Sequence, residues 1–181
     1  MRSLRNCGPH CDRTLQILLK TFFDIFCLRK GPENLPHSWL LFGIVLVASI
    51  VVELATTEIV LPDFEQLYIV VLALKFVAFA YFTAVLAVSG QLKRGAQTLT
   101  ALAGTDLLLN VVLLSLFVLG GVFADRETLL AVISLLVYWS VPVQGYIISC
   151  AIQQHLAIGI ALAFVALLLA ETTFQYIRAA A

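Results

Sequence analysis

Four polar residues with chemical capacity interrupt long apolar segments of this sequence: Glu53, Lys75, Asp106 and Asn110. Lys75 is the least expected of them, since it stands in the middle of the apolar run YIVVLALKFVAFAYF. A charged side chain inside hydrocarbon costs about 2.5–3.5 kcal/mol on insertion scales, so such groups usually pair with one another or belong to a path for protons or ions. These four residues are therefore the candidate functional cluster.

The spacing of Glu53 and Lys75 predicts an ion pair, because each lies eleven residues from Phe64. In an antiparallel helical hairpin this symmetry places both at one depth, about 8–12 Å below the membrane boundary at a rise of about 1.5 Å per residue. Asp106 and Asn110 are four residues apart and share a face of a later helix, with Asn110 near the level of Lys75 and Asp106 one turn deeper. The cluster either holds three helices together or conducts protons or ions.

The composition indicates the class of protein. The chain has 181 residues, of which 61% are hydrophobic and 12% are charged, with no formal net charge. A soluble domain is usually about half apolar and about a quarter charged. The apolar excess predicts an all-α fold, a polytopic membrane helical bundle. The expected partners are the lipid bilayer and other integral membrane proteins or a second copy of the chain, and no nucleic acid.

Five apolar segments are each close to the ~20 residues that cross hydrocarbon. They are predicted at residues 38–61, 66–89, 97–122, 128–152 and 155–176. The polar turns LPDFEQ, SGQLKRGAQ and ADRET separate the first four segments. The last separation, within CAIQQHLAIG, is weak, so the fourth and fifth segments form either two spans or one broken, re-entrant unit.

An amphipathic helix is predicted ahead of the first span. Its polar residues recur every three or four positions, which is typical of a helix that lies flat in the membrane interface. These residues are Arg13, Gln16, Lys20 and Asp24. The chain is therefore divided into a flexible cytoplasmic tail (1–11), an interfacial helix and turn (12–36) and a five-span bundle (37–181). The helix either anchors the first span or docks a partner or anionic lipid.

The charges near the span ends predict the orientation. Several basic residues precede the first span, and Lys93 and Arg94 occupy the turn between the second and third spans. The turns after the first and third spans carry more acidic than basic residues. Because cytoplasmic loops carry the excess of Lys and Arg, the N-terminus is expected in the cytoplasm and the C-terminus outside.

The motif CGPHC at residues 7–11 suggests redox or metal chemistry, but its spacing argues against both. Redox motifs of this type have two residues between the cysteines, and here there are three. A metal-binding set of Cys7, His10, Cys11 and Cys27 lacks the paired spacing that is typical of zinc sites. No metal, cofactor or catalytic motif is predicted, and the protein is expected not to be an enzyme.

Pro142, within YWSVPVQGY, is expected to bend the fourth span. Proline cannot donate to the helical ladder, and its ring clashes with the carbonyl four residues earlier, here that of Tyr138. Ser140 and Gln144 could satisfy the backbone groups that the bend frees. The bend is either a packing feature or a hinge.

Three segments carry a resemblance to a known family: CLRKGPENLPHSW before the first span, GAQTLTALAGTDLLLN in the third, and YWSVPVQGYIISCAIQQHLAIG across the last two. Over roughly residues 20–176 the layout resembles the Yip (Ypt-interacting protein) type of five-span membrane protein, in particular its short bacterial relatives. The resemblance implies a non-enzymatic role in membrane organisation or trafficking through protein partners, in a bacterial inner membrane. It assigns a role to no single residue.

Two functions are therefore weighed. The first is a scaffold that associates with other membrane proteins. The alternative is a small transporter, or a proton- or ion-conducting subunit, that uses Glu53, Lys75 and Asp106. The deciding feature is whether the buried charges line a wet cavity or lie dry and paired.

Overall fold

The fold is built from long apolar helices. The computed structural model describes residue 16 and residues 20–29, 31–60, 67–123 and 126–180. Within these ranges there is no strand, and five helices are long and apolar enough to cross a membrane. They are α1 (Trp39–Val60), α2 (Leu67–Val88), α3 (Gly95–Phe123), α4 (Arg126–Ile152) and α5 (Leu156–Ala180). The prediction of an all-α polytopic membrane bundle is confirmed.

The predicted and observed helix limits agree closely where a polar turn is present. α1 and α2 each differ by one residue at either end from the predicted spans. α3 begins two residues earlier than predicted, directly after the 3-10 turn Leu92–Arg94. α5 continues four residues beyond the predicted end, and its last turn carries the exposed Arg178.

The fourth and fifth apolar segments form two separate helices. Gln153 adopts a left-handed conformation with φ 56°, and the amide of Gln154 donates to the carbonyl of Ser149 at 3.0 Å. This is the Schellman pattern that ends many helices. Each of the two helices exceeds the ~20 residues needed for a span. The fourth and fifth segments are therefore two spans and not one broken, re-entrant unit.

The central helix of the bundle is α3. It packs mainly on α1 and also on α4, while α5 packs on α4 and α2. Many of the side chains that α3 buries are small, including Thr98, Thr100, Ala101 and Ala103. Small residues let neighbouring helices approach closely where lipid supplies no hydrophobic driving force for association. Close packing around α3 therefore fixes how α1 and α4 sit beside it.

Residues 20–26 are helical and pack against the bundle. Phe22 and Ile25 are buried in the hydrophobic core, and a Cβ atom at Gly104 of α3 would overlap the Phe22 ring. This part of the predicted amphipathic helix therefore places its apolar face on protein, where the missing side chain of Gly104 makes room. Its position in the membrane interface stays a prediction, and the tail predicted at 1–11 lies outside the described residues.

Three connections meet at one end of the bundle. The imidazole Nε2 of His37 donates to the carbonyl of Lys93 at 3.1 Å, and the Gln97 amide donates to the carbonyl of Leu35 at 2.7 Å. Gln153 accepts a hydrogen bond from the Arg94 guanidinium at 2.9 Å when the side-chain oxygen of Gln153 faces Arg94. This end therefore gathers the residues before α1, the α2–α3 turn and the α4–α5 turn.

Candidate functional site

Three helices supply the polar cluster. Ser49 and Glu53 lie on α1, Lys75 on α2 and Asp106 on α3. Ser49 and Glu53 are four residues apart, so the helical period places both on one face of α1. That face meets α3, the main neighbour of α1, and the long side chain of Lys75 reaches the same place from α2.

The Lys75 ammonium is at the centre of the cluster. Its Nζ lies 2.5 Å from Glu53 Oε2 and donates to Ser49 Oγ at 3.1 Å and to Asp106 Oδ2. An ammonium carries three donors and no acceptor, and these three oxygens account for all of them. The Ser49 hydroxyl in turn donates to Asp106 Oδ2 at 2.7 Å. Each group contacts at least one other member, so the four side chains form one network.

The network is largely shielded from solvent but carries unequal charge. Ser49 is fully buried, and the exposed side-chain fractions are 12% for Lys75, 21% for Glu53 and 29% for Asp106. When all three titratable groups are ionised, two carboxylates share one ammonium. A net negative charge in this environment is costly, so a proton or a cation that binds here would lower the energy.

Asn110 lies outside the network. Its side chain is buried, and its amide donates to the backbone carbonyl of Asp106 at 3.1 Å, one turn earlier in the same helix. The sequence prediction had set Asn110, and not Asp106, at the level of Lys75. That count assumed that the axes of α2 and α3 are not tilted relative to one another. However, α2 packs mainly on α5 and little on α3, so counting residues does not fix the relative level of Lys75 and Asn110.

Ser49 belongs to the network and was not among the predicted site residues. The available signal was its spacing, since it precedes Glu53 by one helical turn. A serine in an apolar helix usually donates to the carbonyl four residues earlier, as Ser115 does to Val111 in α3. Apart from that spacing, the sequence gives no reason to treat the two serines differently.

A cavity of about 130 Å³ adjoins the cluster. Lys75 and Asp106 line it on one side, and Ser140 and Gln144 of α4 bring further polar atoms to it. The remaining lining is apolar and comes from α2, α3, α4 and α5. A water molecule occupies about 30 Å³ in the liquid and needs polar partners, so the cavity has room and partners for several. The charges are thus both paired and placed beside a polar cavity.

The helix α4 passes through Pro142 without interruption. Ser140 Oγ donates to the carbonyl of Val137 at 2.7 Å, and not to that of Tyr138, which the proline leaves free. Within the described part of the chain Gln144 makes no hydrogen bond, and it lines the cavity. Gln144 therefore does not satisfy freed backbone groups as expected, and the bend at Pro142 stays a prediction.

The described cysteines do not form a redox or metal site. Cys27 and Cys150 are half-buried free thiols, whereas Cys7, His10 and Cys11 lie outside the described residues. Among the residues that the structure describes, no three or more His, Cys, Asp or Glu side chains are grouped to hold a metal ion.

Comparison with known proteins gives no relative. No family model, curated protein or solved structure matches the chain.

Proposed function

We propose that this integral membrane protein conducts protons or a small cation through its intramembrane cluster, as a small transporter or a conducting subunit. The observation that carries the proposal is the cavity of about 130 Å³ lined by Lys75 and Asp106. Ionisable residues within spans are rare, and where they adjoin a water-filled cavity they commonly mark an ion or proton pathway.

Stability alone is a weak explanation for the cluster. A buried ion pair is often no more stable than well-packed apolar residues of similar volume, because removing charges from water offsets the attraction between them. The excess of one carboxylate makes the arrangement less favourable still. A site that binds and releases a positive charge accounts for both the excess acid and the adjacent space.

The test is flux into vesicles that contain the purified protein. A potassium diffusion potential is applied, and internal pH is followed with a trapped dye. We expect proton entry well above that of protein-free vesicles. Gln144→Leu, which removes a polar group from the cavity lining but leaves all three charges paired, is expected to fold normally and to lose most of the flux.

Gln154→Leu is the matched control, since Gln154 is exposed in the α4–α5 turn, away from the cavity lining. It is expected to conduct like the native protein. The same vesicles are loaded with a sodium-sensitive dye to distinguish a metal cation from a proton. Folded native protein that transports neither ion above the protein-free level would refute conduction.

A scaffold that associates with other membrane proteins is the second candidate function. It follows from the Yip-type resemblance, which we retain as a proposal together with a non-enzymatic role. One observation favours it: the ammonium finds all three of its partners inside the chain, so the cluster needs no ligand. Absence of flux, with Gln144→Leu and native protein equally stable, would favour this function over conduction.

For localisation we propose a bacterial inner membrane with the N-terminus in the cytoplasm and the C-terminus outside. The described residues at the end where three connections meet include Arg29, Lys93 and Arg94. The opposite end carries the exposed acids Glu58 and Glu127. This distribution matches the excess of Lys and Arg found in cytoplasmic loops.

Single-cysteine labelling tests this orientation. In a cysteine-free background, Glu127→Cys is expected to react with an impermeant maleimide in intact spheroplasts. Lys93→Cys is expected to react only after the membrane is permeabilised. Both positions are exposed, so failure to react reports on the side of the membrane and not on burial. Labelling of position 93 from outside would reverse the orientation.

A further inference from the structure

We infer that Glu53 is the residue that takes up and releases the proton, while Asp106 positions Lys75. The inference rests on the proposed conduction and names the proton-carrying group of that site. It follows from how differently the network treats its two carboxylates.

Asp106 receives two hydrogen bonds on one oxygen. Lys75 Nζ and Ser49 Oγ both donate to Oδ2. The hydroxyl of Ser49 has a single proton, which it gives to Asp106, and its oxygen accepts from Lys75. Two charge-assisted hydrogen bonds on one carboxylate oxygen fix the Asp106 side chain relative to Lys75, which is the geometry expected of a positioning residue.

The Glu53 carboxylate is held by the Lys75 ammonium alone. Its Oε2 lies 2.5 Å from that ammonium, and no second donor reaches this buried oxygen within the described residues. No hydroxyl supports it in the way that Ser49 supports Asp106. A buried carboxylate with so little compensation tends to become neutral by binding a proton.

The charge balance is compatible with a proton on Glu53. Glu53 is faced by Lys75 from α2 and by Asp106 from α3, the two long helices that pack against α1. With Asp106 paired to the ammonium, a proton on Glu53 makes the whole network neutral. Loss of that proton returns a single negative charge to the membrane interior. This charge attracts the next proton.

Lys75 connects Glu53 to the cavity, since it contacts the former and lines the latter. The ammonium gives one proton to Glu53 Oε2, which breaks an N–H bond and forms an O–H bond. The resulting amine takes a proton from a hydronium ion in the cavity and becomes an ammonium again. The net change is one proton moved from cavity water to Glu53.

The test is infrared spectroscopy of the protein in vesicles, recorded as a difference between acidic and alkaline pH and repeated in deuterium oxide. We expect a carbonyl-stretch band from a protonated carboxylic acid in an apolar setting. Glu53→Gln should abolish this band. Glu58→Gln, which changes an exposed acid later on the same helix, should leave it at full intensity.

A second variant distinguishes loss of the acid from misfolding of the protein. Glu53→Asp keeps an acid at the position and should shift the band in frequency without removing it. A band that persists in Glu53→Gln, or that is unmoved in Glu53→Asp, would assign the proton to another residue and overturn the inference. Absence of any such band in the native protein would overturn it too.

The spectroscopic result is independent of flux. A band that depends on Glu53 in vesicles that conduct nothing would support the protonation site and refute conduction. Flux without a band that depends on Glu53 would support conduction and refute the site.

Discussion

Replacement of Lys75 by Met is expected to cost about 3–5 kcal/mol of stability, the effect of breaking a buried ion pair by removing one partner. The substitution leaves the Glu53 and Asp106 carboxylates without a cation and Ser49 without its donor. Methionine fills similar volume, so the loss reports on charge more than on packing. Unfolding in mixed micelles, followed by circular dichroism against denaturant, measures the change.

Two further variants show whether the loss of stability in Lys75→Met comes from the buried ion pair. Lys93→Met removes an exposed lysine at the membrane boundary and is expected to change stability by less than about 0.5 kcal/mol. Exchange of the pair, Glu53→Lys with Lys75→Glu, is expected to recover part of the loss, limited because the new Glu lies beside Asp106. If Lys75→Met and Lys93→Met unfold alike, the ammonium does not hold the three helices together.

A methyl group added at Gly159 is expected to destabilise the α4–α5 pair by about 1–3 kcal/mol, the usual range for overpacking. A Cβ atom there would overlap the carbonyl oxygen of Gly145 on α4, and one added at Gly145 would lie 2.7 Å from the Cα of Ile160. Both obstacles are backbone atoms, so no side-chain rotation relieves them. Gly159→Ala should therefore unfold at a clearly lower denaturant concentration than the native protein.

Gly43→Ala is the matched control, because a Cβ atom at Gly43 of α1 has nothing within 4 Å. Alanine is preferred to glycine within a helix by roughly 0.5–1 kcal/mol, so this variant is expected to be neutral or slightly more stable. The two Gly→Ala changes should therefore move stability in opposite directions. Equal effects would mean that α4 and α5 do not approach as closely as the structure shows.

The sequence predicts the helices well because apolar length and polar turns are local properties. Gly90 shows how directly this works: its φ of 70° ends α2, and the next amide donates to the Leu86 carbonyl at 2.9 Å. Glycine adopts this conformation freely, so a glycine after an apolar run is a reliable helix end. Gln153 adopts the same conformation without being glycine, which explains why the α4–α5 turn was the weak one to predict.

The site was harder to predict because its geometry depends on how the helices rotate and tilt. Glu53 and Lys75 flank one short turn, so counting along the hairpin suffices to bring them together. Asp106 comes from a helix that packs little on α2, and its level beside Lys75 depends on how α3 packs against α1 and α4. The cavity arises where four helices leave space between them, and no local pattern encodes it.

The packing of α1 on α3, and only weakly on α2, has a consequence for biosynthesis. During translation α1 emerges first, and its main neighbour follows only after α2 has been made. At about 5–20 residues per second, the roughly fifty residues between Glu53 and Asp106 take about 3–10 s. For those seconds Glu53 must wait at the insertion machinery or in lipid without its full set of neighbours. An acid that binds a proton would cross this interval without a charge, so the residue that we assign to proton uptake is also suited to early membrane entry.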